Sequence, residues 1–124
     1  MKVKNITITI KDRKEVLKEF AQVLGKARKG EKIPPHEEVS FQNIDALRRV
    51  LTEKRIELLH LIRLHHPESI YELAKIANRD LKNVHEDLLI LKEVGLLSLE
   101  ELGDERGRVQ PKVEFDTLKI EIAI

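Results

Sequence analysis

Between Ser69 and Gly95 the chain carries start and stop signals for two helices joined by a very short turn, and no other stretch constrains the fold as tightly. Ser69 with Glu72 three positions on fits a capping box, so a short helix is expected over 70–77. Asn78 stands where a left-handed residue closes such a helix. Asp80 offers the N-cap of a longer helix over 81–94, which Gly95 stops. Leu81, Val84, Leu88 and Leu91 recur at helical spacing and are its expected buried stripe.

The flanking segments extend this unit. Asn43 caps a short helix over 44–51, and Thr52 caps another over 53–66, which Pro67 ends. Downstream, 96–102 reads as a strand, Gly103 to Arg108 as its turn, and 109–115 as the returning strand, with Pro111 marking an edge or bulge. Residues 53–108 therefore run helix, short helix, turn, longer helix, strand, turn, strand, the order of a helix-turn-helix followed by a β-hairpin wing. In such a unit the short helix braces the longer one. The N-terminal residues of the longer helix enter a major groove, and the hairpin reaches the neighbouring backbone.

The ends of the chain read differently. Ile6, Ile8 and Ile10 alternate with Thr7 and Thr9, the pattern of a half-buried strand. Asp12, with Glu15 three residues on, starts a helix over 13–29, and Gly30 closes it. Val16, Leu17, Phe20, Leu24 and Ala27 form its apolar stripe, and Lys14, Lys18, Lys26, Arg28 and Lys29 its outer face. Residues 30–40, with Gly30, Pro34 and Pro35, read as a linker. Leu118, Ile120, Ile122 and Ile124 alternate with polar or small residues as a C-terminal strand. The expected architecture is α+β: a strand–helix arm over 1–35, then a winged-helix domain with a final strand over 40–124. The apolar stripes of the two terminal strands and the first helix point to a homodimer built from them, and two-fold symmetry suits a palindromic operator.

Composition removes whole classes of function. Hydrophobic residues make up 41% of the chain, enough for a core. The absence of Cys excludes disulfides, thiolate zinc sites, iron–sulfur clusters and Cys nucleophiles. Aromatics are 3% with no Trp, so a base-stacking platform is not expected. No phosphate-binding Gly loop, His-Glu-x-x-His pattern or Gly-x-Ser-x-Gly elbow occurs, so neither an enzyme nor a cofactor is expected. Adjacent His65 and His66 on a helix point about 100° apart and make poor joint metal ligands. No run approaches the roughly 18–20 apolar residues of a membrane span, and Met1 to Asn5 lack a signal-peptide character, so a cytoplasmic location is expected. The formal charge of +1 hides a net of +6 over 1–35 and −5 over 36–124. Any polyanion must therefore be met by local patches.

Those patches are definable. Lys82 and Asn83 are the first-turn donors of the longer helix, side chains of the types that pair with guanine and adenine respectively; the alternative for Asn83 is support of the helix start. Arg79 stands just before this helix. His85 follows the buried Val84 and either touches a phosphate or packs at the core edge. Arg106 and Arg108 occupy the wing, where they grip phosphate or a minor groove, beside the opposing Asp104 and Glu105. Asp80, Glu86, Asp87 and Glu93 outnumber Lys82 and Lys92 on the helix, and acids in a groove oppose phosphates. Those acids, with Leu89 and Ile90 on the outward side, favour an alternative: a protein-interaction module such as an antitoxin or assembly subunit.

Ser69 to Ala74, Leu81 to Leu88, and the exit Leu91-Lys92-Glu93-Val94-Gly95-Leu96-Leu97 resemble winged-helix transcriptional regulators of the MarR-like and ArsR-like kind. The likeness to a group of small archaeal DNA-binding regulators is closer and covers nearly the whole chain. It runs through the alternating first strand, Ser40-Phe41 leading to Leu47, Leu51 to Leu59, Asn83-Val84-His85 and Lys119 to Ile122. The resemblance implies sequence-specific binding of double-stranded DNA and transcription regulation. Some members of that group lie beside toxin-like genes, which implies a toxin-like protein partner.

Overall fold

A computed structural model describes residues 5–30 and 38–122 of the chain. Pro34, Pro35 and Ile124 lie outside the described residues. The elements in order are β1 (Asn5–Ile10), α1 (Arg13–Arg28), β2 (Glu38–Phe41), α2 (Ile44–Val50), α3 (Glu53–His65), α4 (Ile70–Ala77), α5 (Leu81–Glu93), β3 (Ser98–Glu101), β4 (Val109–Lys112) and β5 (Thr117–Ile122). The fold is α+β.

Four helices begin where short polar side chains replace a missing backbone partner. Asp12, Asn43, Thr52 and Ser69 accept the N–H of Glu15, Ala46, Arg55 and Glu72. Glu72 reaches back as a capping box does, but one residue further, accepting the N–H of Glu68 at 2.8 Å. Asp80 differs from expectation: it holds the N-cap position of α5 with an extended backbone, yet its side chain makes no cap hydrogen bond. Asn78 closes α4 in the left-handed region at φ 54°, and His66 closes α3 in the same way at φ 48°.

The sheet order is β2-β1-β5, with both pairings parallel. β2 begins within residues 30–40, the segment expected to be linker, and ends at Phe41. The terminal strands meet inside one chain, in a register that aligns Ile6 with Leu118, Ile8 with Ile120 and Ile10 with Ile122. Val39 and Phe41 align with Ile8 and Ile10 on the other side. Since successive strand residues face opposite ways, these residues make one apolar face. The other face is polar, and there the Thr9 hydroxyl donates to Glu38 at 2.6 Å.

One core joins this sheet to the helices. Ile8 and Phe41 belong to a buried cluster with Leu58 and Ile62 of α3, Leu73 of α4, Val84, Leu88 and Leu91 of α5, and Leu96, Val113 and Phe115. Burying each large aliphatic contributes about 1.5–3 kcal/mol. Gly95, at φ 87°, takes the chain out of α5, and a Cβ there would stand 3.9 Å from Val39. One expectation fails here. Leu81 is 44% exposed rather than buried, because the stripe begins a turn later at Val84. The α1 stripe is also exposed at Val16, Leu17, Phe20 and Leu24. The core covers the sheet's apolar face at Ile8 and Phe41, and among the described residues no α1 residue joins the cluster. Instead, Lys11 ties α1 to the sheet through Glu19 and Glu38, both at 2.6 Å. These carboxylates raise the Lys11 pKa above its ordinary value.

Candidate nucleic-acid interface

Helix α5 presents two faces set by its own periodicity. With Val84, Leu88 and Leu91 buried, residues stepping about 100° apart put Lys82, Glu86 and Leu89 opposite the core, with Asn83 and His85 on the two flanks. The structure agrees: Lys82, Asn83, His85 and Glu86 are all exposed. His85 therefore stands in solvent and not at the core edge. Among the described residues, no hydrogen bond or ion pair is seen for the side chains of Lys82, Asn83 or His85. Leu89 is exposed, whereas Ile90 is half-buried.

Asp87 has a different role from the one expected of a groove acid. One carboxylate oxygen accepts Nε of Arg55 at 3.0 Å, and the other accepts Nη2 of Arg79 at 2.8 Å. Arg55 also donates to the carbonyls of Arg49 and Val50, at 2.6 and 3.1 Å, at the end of α2. The pair of arginines thus anchors α5 to α2, α3 and the α4–α5 turn. Arg79 turns inward, and its Nη1 is buried without a partner. It is a clamp on the turn rather than a free cation. Sequence spacing shows none of this, because Arg55 is 32 residues from Asp87.

The hairpin is tied down at its base. β3 and β4 pair antiparallel, with Ser98 opposite Lys112 and Glu101 opposite Val109. Gln110 donates to the Pro67 carbonyl at 3.3 Å, and Arg108 reaches Glu68 at 3.3 Å, so the hairpin is fixed to the α3–α4 connection. Gly103 and Gly107 take φ of 67° and 63°, which non-glycine residues rarely adopt. Between them Asp104 folds back: its carboxylate accepts the Arg108 N–H at 3.0 Å and the Arg108 guanidinium at 2.5 Å. These bonds lower the Asp104 pKa and raise that of Arg108. Arg108 is therefore committed to holding the tip, while Arg106 projects from it, exposed.

A further pair lies beside the turn. Lys75 Nζ sits 4.6 Å above the ring centroid of the exposed Tyr71, on the outer side of α4. Tyr71, Lys75, Asn78, Arg79 and Leu81 line one shallow groove against the start of α5. The Tyr–Lys spacing of four residues on a capped helix is the signal that locates this pair. The six expected contact residues thus divide. Lys82, Asn83, His85 and Arg106 are exposed, while Arg79 and Arg108 are held by acids.

Among the described residues, no cluster of His, Asp or Glu is arranged to hold a metal ion, and no helix is long and apolar enough to cross a membrane. A family model described as HVO_A0114 matches residues 50–120, which span α3 to most of β5. No curated protein and no solved structure matches the chain.

Proposed function

The chain belongs to the HVO_A0114 family, and we propose that it is a sequence-specific DNA-binding transcriptional regulator working as a winged helix-turn-helix. One observation carries the reading. The first turns of α5 present Lys82, Asn83 and His85 to solvent without intramolecular partners, at the end of a short, capped helix–turn unit. Donors left free at the start of a helix are what a major groove requires. On this reading, α4 and the Asp87 clamp hold α5 at a fixed angle. Asn83 and Lys82 read base edges, and His85 with Lys75 meets phosphates. The β3–β4 hairpin acts as the wing, with Arg106 as its phosphate or minor-groove contact. Arg79 and Arg108 serve by positioning these groups. Turning Asp87 inward also removes one negative charge from the face offered to DNA.

Selection of bound fragments from a random duplex pool at two salt concentrations tests the reading. A single enriched sequence at both salts is expected, with total binding falling as salt rises. Binding without enrichment rejects sequence specificity, and no binding at low salt rejects the DNA reading. One observation favours a second reading. Leu89 is exposed beside Glu86 on the outer face of α5, which suits a protein-interaction module with a toxin-like partner.

A further inference from the structure

We propose that a second copy of this chain docks on the outer edge of β5, antiparallel and centred on Ile120, so that two three-stranded sheets become one continuous six-stranded sheet. This edge plays no part in the DNA reading. β1 is the central strand, so it has no edge to offer, and β5 is an edge strand. Among the described residues, no backbone hydrogen bond beyond its ladder with β1 involves β5. An unpaired row of N–H and C=O groups on an alternating apolar strand is a template for another strand. Ile120 and Ile122 stand 54% and 45% exposed on this edge, although they align with Ile8 and Ile10 of the core face. The strand has no Pro and no bulge over Thr117–Ile122, with a ladder unbroken from Thr117 to Ile122, and its two charges, Lys119 and Glu121, are of opposite sign.

Charge selects the occupant and the register. In antiparallel self-pairing centred on Ile120, Ile120 faces its own copy and Leu118 faces the partner's Ile122, all on one side. On the other side Lys119 faces the partner's Glu121, and Glu121 faces the partner's Lys119. The neighbouring in-phase registers set Lys119 against Lys119 or Glu121 against Glu121. A shift by a single residue sets apolar side chains opposite charged ones. Only one register is therefore complementary on both faces, and like any antiparallel pairing of two identical strands it obeys a two-fold axis.

Lys119→Glu places two acids opposite two acids, and Glu121→Lys places two bases opposite two bases. Sedimentation equilibrium is expected to show a dimer for the parent chain and dissociation constants raised roughly tenfold or more for each variant. An equimolar mixture of the two variants restores complementarity at both pairs and is expected to recover the dimer. The chain has no cysteine, so Ile120→Cys gives an independent readout. Antiparallel partners stand roughly 4.5–5.5 Å apart at Cα, within disulfide range. Oxidised Ile120→Cys is expected to run as a covalent dimer. A monomeric parent at micromolar concentration, a dimer indifferent to both charge reversals, or an Ile120→Cys chain that does not cross-link overturns the proposal.

Discussion

Asp87 on α5 accepts the Nε of Arg55 on α3 at 3.0 Å, across 32 residues of chain, and both side chains are only 15% exposed. This pair, extended by Arg79, sets the angle of α5 against the helices that support it. Removing Asp87 leaves two largely buried guanidinium groups without their anion. Asp87→Ala is expected to destabilise the protein by about 2–4 kcal/mol, measured by denaturant midpoint at constant slope. A loss under about 0.5 kcal/mol would show that the clamp is an ordinary surface pair.

On the proposed DNA-binding reading, substitutions at Asn83 and Arg106 separate readout from positioning. Asn83→Ala is expected to cost about 1–3 kcal/mol on the selected duplex and to relax preference at one base pair. Arg106→Ala should weaken all sequences alike and lower the salt slope by about one unit. Arg108→Ala acts differently, because its partners are Asp104 and Glu68. It loosens the hairpin tip before it touches DNA affinity. Equal binding of the selected duplex by Asn83→Ala and the parent removes Asn83 from the reading site.

Helix α1 and helix α5 respond oppositely to truncation. Leu88 is fully buried in the core, and Leu88→Ala is expected to cost about 2–5 kcal/mol. Phe20 is 61% exposed, and Phe20→Ser is expected to change the unfolding free energy of the isolated chain by less than about 0.5 kcal/mol. Comparable losses from both would mean that α1 packs into the core after all.

The hairpin tip has a built-in acid sensitivity. Its bonds with Arg108 hold Asp104 below its ordinary pKa of 3.8. A carboxyl depressed on folding stabilises the tip above that ordinary value and loses the effect as pH falls through the lowered one. Hydrogen exchange at the Arg108 amide, which donates to Asp104, should therefore accelerate relative to the β3–β4 ladder on acidification below that range. Asp104→Ala, which removes the acceptor, should show fast exchange already at neutral pH. An Arg108 amide equally protected in both proteins would contradict the role given to Asp104.

What the residues reveal by themselves is local. The caps at Asp12, Asn43, Thr52 and Ser69 depend on atoms three residues away, so they are readable, as are the left-handed Asn78 and the glycine stop at Gly95. The pairing of β1 with β2 and β5 is not: Thr7 aligns with Glu38 and Lys119, and only four residues of β2 carry the signal. Parallel neighbours depend on a crossover whose destination no periodicity encodes. The same limit explains the site. Lys82 and Asn83 follow from their place in the helix, but the inward turn of Arg79 requires Asp87 and Arg55 in three dimensions. The exposure of Leu81 depends on where α4 ends against α5, and the hydrophobic pattern alone places it one turn too deep.

The central claim, that the start of α5 meets DNA while the wing tip flanks it, is tested most directly by amide chemical shifts of labelled protein titrated with the enriched duplex. The account predicts the largest changes over residues 81–86 and 104–107, with β1 and β5 undisturbed. Shifts confined to α1 or to the outer edge of the sheet, or no shifts at low salt, would contradict it.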